Sequence, residues 1–173
     1  MQALVVYESM FGNTRTLARA VADGLLAAGA QVTVSPVDEV DPTTLTEYDV
    51  VVAGAPTHAL SLPRPSTRED AARQGAPTPP ETGLREWLGQ LEPTVGARPR
   101  FAVFDTRIGT GVARHFTGSA ARRTARTLRG LHRTLADDPM SFYVEATTGP
   151  LAAGEEIRAR AWGGRLARTA PVG

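Results

Sequence analysis

The chain has 173 residues, of which 42% are hydrophobic and 21% charged, values that are ordinary for a single globular domain. It contains no cysteine, which excludes disulfides, thiol catalysis and cysteine-ligated metals. All 19 positively charged residues are arginine, and 18 acidic residues leave a net charge of +1.

The first predicted element is a strand over residues 3–7. Because it begins so early, no room is left for a signal peptide, and no later apolar run approaches the length of a membrane span. We therefore expect a cytoplasmic protein without membrane contact, organised as one domain over residues 1–173.

A helix over about residues 14–28 follows, with Gly29 placed to end it. The intervening Ser9-Met10-Phe11-Gly12-Asn13-Thr14 is therefore a strand-to-helix turn. Unpaired backbone N–H groups at a helix N-terminus favour a bound phosphate, and Ser9 and Thr14 add hydroxyl donors. Gly12 permits close backbone approach. The alternative is an ordinary turn capped by Ser9 and Asn13.

This turn resembles the phosphate-binding loop of flavodoxins, in which Thr/Ser-x-Thr/Ser-Gly-x-Thr holds the phosphate of FMN without a cationic side chain. Phe11 replaces the middle hydroxyl, as in the flavodoxin domains of multidomain flavoproteins. The resemblance implies that FMN is the cofactor and that its phosphate is bound by residues 9–14.

Two further strands precede a long connection. Residues 32–34 are predicted to form a short edge-like strand, and a polar connection follows over 38–46. Residues 48–54 form a near-continuous apolar run, which is typical of a parallel strand covered on both faces. We expect this strand to lie centrally in the sheet.

An extended loop at about 60–82 follows the central strand. Loops of this length are usually functional or flexible. Ser66-Thr67-Arg68-Glu69 matches a capping box and Gly75 is placed as a C-cap, so a short helix is predicted over 67–74. We interpret the segment as a lid that carries its own helix.

Alternating helices and strands complete the chain. The predicted helices cover about 83–91, 119–135 and 155–167, and the predicted strands cover 100–106 and 142–145. A polar turn through Arg107, Gly109 and Gly111 is expected after the first of these strands.

Two of these helices have predicted faces. The apolar face of the helix from Ser119 is Ala121, Thr124, Leu128, Leu131 and Leu135. Its opposite face is Arg122, Arg126, Arg129 and Arg133. In the last helix the side chains expected to face inward are Ile157, Ala161 and Trp162.

Five strands that alternate with helices predict right-handed crossovers and a doubly wound parallel sheet. The resemblance adds the strand order 2-1-3-4-5. The expected fold is therefore an α/β, flavodoxin-like three-layer sandwich with helices on both faces. Ligands of such sheets bind beyond the carboxyl ends of the strands where the strand order reverses.

Three loops fall at that edge, and the resemblance implies that together they hold FMN. The first loop, Ser9 to Thr14, would bind the phosphate. The other two would flank the isoalloxazine ring and consist of Pro56, Thr57, His58 and Ala59, and of Asp105, Thr106 and Arg107. The Trp and Tyr that commonly sandwich the ring in flavodoxins do not occur in these loops.

The roles of these side chains stay open at this point. His58 either stacks on the flavin or hydrogen-bonds near it, or it points to water. Thr106 would meet the pyrimidine edge, and Arg107 would reach a flavin carbonyl or an anionic partner. Alternatively, Asp105 and Arg107 pair with each other or with solvent.

No residue spacing indicates nucleophilic or metal catalysis, so the chemistry would come from a cofactor. The first hypothesis is an FMN protein, either an electron-transfer flavoprotein or an FMN-dependent oxidoreductase that reduces quinones or similar acceptors. The second is a flavin-free interaction module that uses its arginines on an acidic partner or on nucleic acid. The intact phosphate loop favours the first hypothesis.

The charge distribution bears on the partner. Residues 107–133 contain seven arginines, two histidines and no acid, so one face there must be positive. Electron-carrying flavodoxins are typically acidic and dock on basic partners. Here the charges of the two docking surfaces would be exchanged. We expect a redox partner protein or a small anionic electron donor or acceptor rather than nucleic acid. Candidates are an acidic ferredoxin-like protein, an anionic deazaflavin and a phosphorylated nicotinamide.

Overall fold

The computed structural model describes residues 1–77, 80–93, 98–109 and 118–169. The strands in these ranges are β1 (Gln2–Tyr7), β2 (Gln31–Pro36), β3 (Val50–Pro56), β4 (Arg100–Ile108) and β5 (Met140–Val144). The helices are α1 (Asn13–Ala27), α2 (Pro65–Arg73), α3 (Leu84–Gly89), α4 (Ala120–Gly130) and α5 (Glu155–Thr169), with 3-10 turns at Val37–Glu39 and Pro42–Glu47. These strands form a parallel sheet in the order β2-β1-β3-β4-β5, which confirms the predicted topology.

Helices cover both faces of the sheet. On one face α1 and α5 pack against a core that includes Val5 and Trp162. On the other face α3 and α4 pack against a core that includes Leu4, Trp87 and Leu128. Successive residues of β1 point into the two cores in turn, because side chains alternate along a strand. The predicted three-layer arrangement is confirmed.

The register of the central strands brings their carboxyl ends together. Tyr7 at the end of β1 pairs with Gly54 of β3, and Pro56 at the end of β3 pairs with Thr106 of β4. Beyond this register, the N–H of Thr57 donates to the carbonyl of Thr106 at 2.8 Å. The loops that follow β1, β3 and β4 therefore leave the sheet at one edge.

The inward face predicted for the last helix is partly wrong. Trp162 is buried as expected, but Ile157 is 77% exposed and Ala161 is also exposed. The buried stripe of α5 is instead Ala159, Trp162 and Leu166, with steps of three and four residues. A stripe that begins at Ile157 runs along the solvent side of the same helix.

The predicted length of the helix from Ser119 is also wrong at its C-terminal end. Ser119 is the N-cap, but α4 ends at Gly130 and the backbone turns left-handed at His132, with φ of 57°. Arg133 therefore does not extend the arginine row. Its Nη2 donates to the carbonyl of Glu92 at 2.9 Å, and its guanidinium lies over the ring of Phe101.

Two smaller boundaries differ from the prediction. The N-cap of α2 is Arg64 rather than Ser66, because Pro65 suits the first helical position and the Thr67 hydroxyl accepts the N–H of Arg64 at 2.9 Å. Strand β4 continues to Ile108, so Arg107 lies in the sheet rather than in a turn. The remainder of that predicted turn, residues 110–111, lies outside the described residues.

The crossing of α1 and α5 depends on glycine. A Cβ at Gly24 would lie 1.9 Å from the carbonyl oxygen of Arg160, and a Cβ at Gly163 would lie 2.1 Å from that of Val21. Backbone lies against backbone at this crossing, so no side chain can yield. The close approach fixes α1, the helix that begins at the first loop.

Gly24→Ala is therefore expected to lower the free energy of unfolding by at least about 1–3 kcal/mol, since overpacking must separate two helices. Gly130→Ala is the matched control, because nothing lies within 4 Å of a Cβ there. The control should be neutral or stabilising by about 0.5–1 kcal/mol, the usual gain from replacing helical glycine. Urea unfolding measures both variants, and equal stabilities would contradict the close crossing.

Candidate functional site

A cavity of about 360 Å³ lies at the carboxyl edge of the sheet. This volume is within the usual range of small-molecule sites. From the three predicted loops it is lined by Ser9, Met10, Phe11, Asn13, Thr14, Pro56, Thr57, His58, Ala59, Thr106 and Arg107. The structure therefore brings together parts of all three loops around one space.

Two predicted site residues do not line this cavity. Gly12 is the N-cap of α1, has φ of 89° and lines a neighbouring cleft on the other side of the first loop. Asp105 is fully buried, and its Oδ2 accepts from the hydroxyls of Thr57 and Ser119 at 2.9 and 2.5 Å. The same oxygen accepts the N–H of Ala121 at 3.0 Å. Asp105 thus fastens the second loop to the start of α4.

The first loop presents the start of α1 to the cavity. Gly12 offers no side-chain cap, and the Ser9 hydroxyl accepts only the N–H of Arg15, at 3.3 Å. Asn13 instead donates its side-chain amide to the carbonyl of Thr148 at 3.1 Å. Among the described residues no acceptor contacts the N–H groups of Asn13 and Thr14. The helix begins with donors available to an anion.

Thr14 joins the first loop to the third. Its hydroxyl lies 3.0 Å from that of Thr106, and both side chains are buried. Beside Thr106, the guanidinium of Arg107 lies 5.6 Å from the ring centroid of Tyr143, a cation–π contact that positions it at the cavity wall. The Thr14–Thr106 hydroxyl pair and the Arg107 cation therefore lie next to each other at the end of β4.

The second loop contains a tight turn over residues 58–61. The backbones of His58 and Ser61 exchange two hydrogen bonds of 2.9 Å. Between them Ala59 and Leu60 have φ of 43° and 67°, a left-handed conformation that non-glycine residues rarely adopt. Such backbone strain costs about 1–3 kcal/mol per residue and is found mostly at functional sites.

One wall of the cavity was not among the predicted site residues. Thr67, Asp70, Ala71 and Gln74 of the extended loop line it, at the spacing of one helical face. The buried Ala71 also packs with Met10 of the first loop. The predicted short helix contained this signal, because residues 67, 70, 71 and 74 share a face of any helix there. Ile108, Val144 and Thr147 complete the lining and had no such signal.

A buried ion pair fastens α2 to the first loop. Glu8, directly before Ser9, is fully buried, and its Oε1 lies 3.3 Å from Nη1 of Arg68. Its Oε2 accepts the N–H of Leu84 at 2.8 Å. Nη2 of Arg68 lies 3.0 Å from Oε2 of Glu86. One arginine thus joins the end of β1, α2 and α3.

Burial shifts the pKa of two groups here. It raises the pKa of the Glu8 carboxyl above its ordinary 4.5, although the Leu84 N–H and the Arg68 cation oppose this. Burial also lowers the pKa of the His58 imidazole below 6.5; a hydrogen bond to the backbone of Thr67 opposes the shift and the Arg68 charge adds to it. His58 therefore lines the cavity as a neutral imidazole at pH 7.

Other site types find no support in the described part of the chain. No cluster of three histidine, aspartate or glutamate side chains there has the geometry to hold a metal ion. No helix there is both long and apolar enough to cross a membrane. The polar groups that line the cavity are hydroxyls, backbone N–H groups, side-chain amides, a neutral imidazole, the Arg107 guanidinium and the Asp70 carboxylate.

Comparison with known proteins agrees with this geometry. Residues 5–72 match the family model for flavodoxin. The NAD(P)H dehydrogenase (quinone) of Acidovorax ebreus strain TPSY is 34% identical over 82 residues, and the match covers 36% of this chain. The matched segment is only 41% of that relative's length.

Solved structures extend the likeness to the whole fold. A flavodoxin from the domain Archaea has a TM-score of 0.67 at 18% identity, covering 99% of this chain and 100% of its own. Flavodoxin 1 from Bacillus cereus has a TM-score of 0.68 at 15% identity, covering 97% and 98%. The resemblance to flavodoxins is confirmed.

Arg68→Met is expected to destabilise the protein by about 3–5 kcal/mol at neutral pH, because it leaves Glu8 buried and ionised without its partner. The loss should shrink towards pH 4.5, since a carboxyl with a raised pKa stabilises the fold when protonated and loses this as the pH rises through its folded pKa. Urea unfolding at several pH values measures this.

Arg73→Met is the control on the same helix, where the exposed Arg73–Asp70 pair should contribute less than about 0.5 kcal/mol. Similar losses for the two variants, or a loss at Arg68 that does not change with pH, would show that the buried pair does not hold α2.

Proposed function

We propose, from the premise that this chain has the flavodoxin fold and matches the flavodoxin family model over residues 5–72, that it binds FMN and transfers electrons through it. The observation that carries the proposal is the cavity lined by the loops after β1 and β3 and by the end of β4. Ligands of doubly wound sheets bind at this edge, where the strand order reverses.

The residues present fit the chemical groups of FMN. A phosphate would lie at the start of α1, where uncapped N–H groups, the helix dipole and the hydroxyls of Ser9 and Thr14 favour an anion. The cavity beside it has room for a planar ring, between residues 56–59 and 106–107 and facing α2. No lysine or arginine is required for the phosphate.

Bound FMN would supply the redox chemistry, and the chain supplies binding and electrostatics. The wall made by α2, which the Glu8–Arg68 pair holds in place, keeps water from one side of the cavity. His58 presents a neutral imidazole, and Arg107 brings a positive charge to the end of β4. The positive charge of Arg107 favours an anionic group at the end of β4.

A second candidate is an FMN-dependent reductase of quinones or similar small acceptors. Two observations favour it: the name of the Acidovorax relative, NAD(P)H dehydrogenase (quinone), and the α2 wall, which leaves space for small molecules. The flavin-free hypothesis predicts no FMN binding. A cytoplasmic location stays a prediction.

The deciding experiment is spectroscopic. Purified protein should be yellow or become so when FMN is added, with shifted absorption bands and a saturable change in flavin fluorescence. Steady-state assays with a quinone and a nicotinamide nucleotide then separate a reductase from a carrier. Absence of any spectral change with FMN would leave the flavin-free module as the function.

The phosphate role of Thr14 can be tested by comparing two flavins. Thr14→Ala should weaken FMN binding by about 1–3 kcal/mol, the usual cost of an unmade hydrogen bond to a charged group. Riboflavin, which lacks the phosphate, should lose much less affinity.

Thr106→Val is the matched control, since it removes the hydroxyl partner of Thr14 but leaves Thr14 itself in place. Equal losses for FMN and riboflavin in Thr14→Ala would assign Thr14 to the packing of the loops and not to the phosphate.

A further inference from the structure

Helix α4 carries an uncompensated positive charge. Arg122, Arg123, Arg126 and Arg129, here called the arginine face, are all exposed. The helix contains no acidic residue, and within the described ranges none of these four side chains forms an ion pair. Its charge is therefore directed to solvent.

The position of these charges is unfavourable for the helix itself. Arg122 and Arg123 lie in the first turn, where the helix dipole disfavours cations, and no acid is present there. Arg122 and Arg126 are four residues apart, and Arg126 and Arg129 three, so like charges face each other at a few tenths of a kcal/mol per pair. Helix stability does not explain this sequence.

The arginine face continues towards the starts of α2 and α3. Burial lowers the pKa of Arg85, and the positive charges of Arg64 and Arg123 lower it further, which indicates that the three cations lie near one another. The carboxylates of Glu86 and Glu8 oppose this shift. The guanidinium of Arg85 also donates to the carbonyls of Leu62 and Pro63 at 2.8 and 3.0 Å. Arg85 thus adds to the positive surface and also holds the chain at residues 62–63 in place.

An apolar side chain lies beside the start of α4, next to this surface. Leu60 is 61% exposed at the tip of the left-handed turn 58–61. The turn packs against Gly118, which lies just before α4, since a Cβ at Gly118 would come within 1.9 Å of the Leu60 carbonyl oxygen. Strained backbone therefore presents an aliphatic group to solvent, between His58 of the cavity and the arginine face.

We propose that the arginine face, together with Arg64, Arg85 and Leu60, is the docking surface for an acidic redox protein that exchanges electrons with the flavin. The inference rests on the proposed function. Protein interfaces typically have an apolar centre and a polar or charged rim, and the charges of the rim set the association rate. Single-stranded nucleic acid is disfavoured, because single strands are bound through aromatic stacking and an aliphatic tip offers none.

The electrostatic part is tested with an acidic plant-type ferredoxin as the probe. Reduced ferredoxin is mixed with FMN-loaded protein in a stopped-flow instrument, and flavin reduction is followed over a range of salt concentrations. Arg122→Glu/Arg126→Glu should slow the reaction about tenfold or more at low salt, and the rates should converge at high salt as the charges are screened.

The matched control is Arg160→Glu/Arg165→Glu, which changes the net charge equally on exposed positions of α5, on the opposite face of the sheet. This control should lose much less rate at low salt. Equal slowing by both pairs would show a net-charge effect and would overturn the docking surface.

The apolar part is tested at high salt, where the charges are screened. Leu60→Ser should slow the reaction several-fold there, whereas Ile157→Ser, at a more exposed position on α5, should not. Both leucine and isoleucine lose a similar apolar area, so equal rates for the two variants would remove Leu60 from the interface.

Failure of the docking proposal is kept distinct from failure of the flavin proposal by two further measurements. FMN affinity should be unchanged in the two charge-reversal variants and in Ile157→Ser, and the reaction rates of Leu60→Ser are measured at saturating FMN. Ferredoxin binding to flavin-free protein, followed by calorimetry, should weaken only in the α4 and Leu60 variants. Salt-dependent binding of a 20-base-pair DNA that exceeds ferredoxin binding and is lost on the α4 reversal would overturn the proposal in favour of nucleic acid.

Discussion

The candidate site depends on the ion pair between Glu8 and Arg68. Glu8 occupies the position where β1 ends and the first loop begins, so a charge there must be neutralised or hydrogen-bonded. Arg68 does this from α2, which the extended loop contains, and the Leu84 N–H does so from α3, which follows it. Gly83 makes it possible, because a Cβ at that residue would lie 2.3 Å from Nη1 of Arg68.

The Glu8–Arg68 ion pair restricts the movement of the extended loop. A flap that merely covers a ligand could open without exposing unpaired charge, whereas α2 cannot leave without stranding Glu8 in a dry position. The helix is therefore a wall of the cavity. Its polar face of Thr67, Asp70 and Gln74 lies where no aromatic residue of the second or third loop is present to flank a ring.

Local patterns were sufficient to predict the strands and the turn between β1 and α1, whereas the strand order came from the resemblance to flavodoxins. The apolar runs that became β1 and β3 are buried on both faces. Spacing failed where two helical stripes were possible, as in α5, since Ile157 and Ala159 differ by only two positions. Helix capping failed at Ser66 because the helix begins at Pro65, two residues before the predicted start at Thr67.

Interactions between distant residues could not be predicted in this way. Glu8 and Arg68 are 60 positions apart, and nothing near either residue indicates its partner. The partners of Asp105 could not be predicted from the sequence either. Its sequence position at the end of β4 suggested a ligand contact, but its partners, Thr57 and Ser119, come from other elements and take its carboxylate into the interior.

The glycine crossing of α1 and α5 has a mechanical consequence for a ligand held at this edge. Because α1 packs backbone to backbone against α5 at Val21 and Gly24, its movement as a rigid body is restricted, and with it that of the N-terminal end at the first loop. The second loop is the opposite case, since its left-handed turn stores strain that a small rearrangement can release. A molecule bound across both is anchored stiffly at one end and compliantly at the other. Adjustments to a change in its charge or shape will therefore accumulate at Ala59 and Leu60.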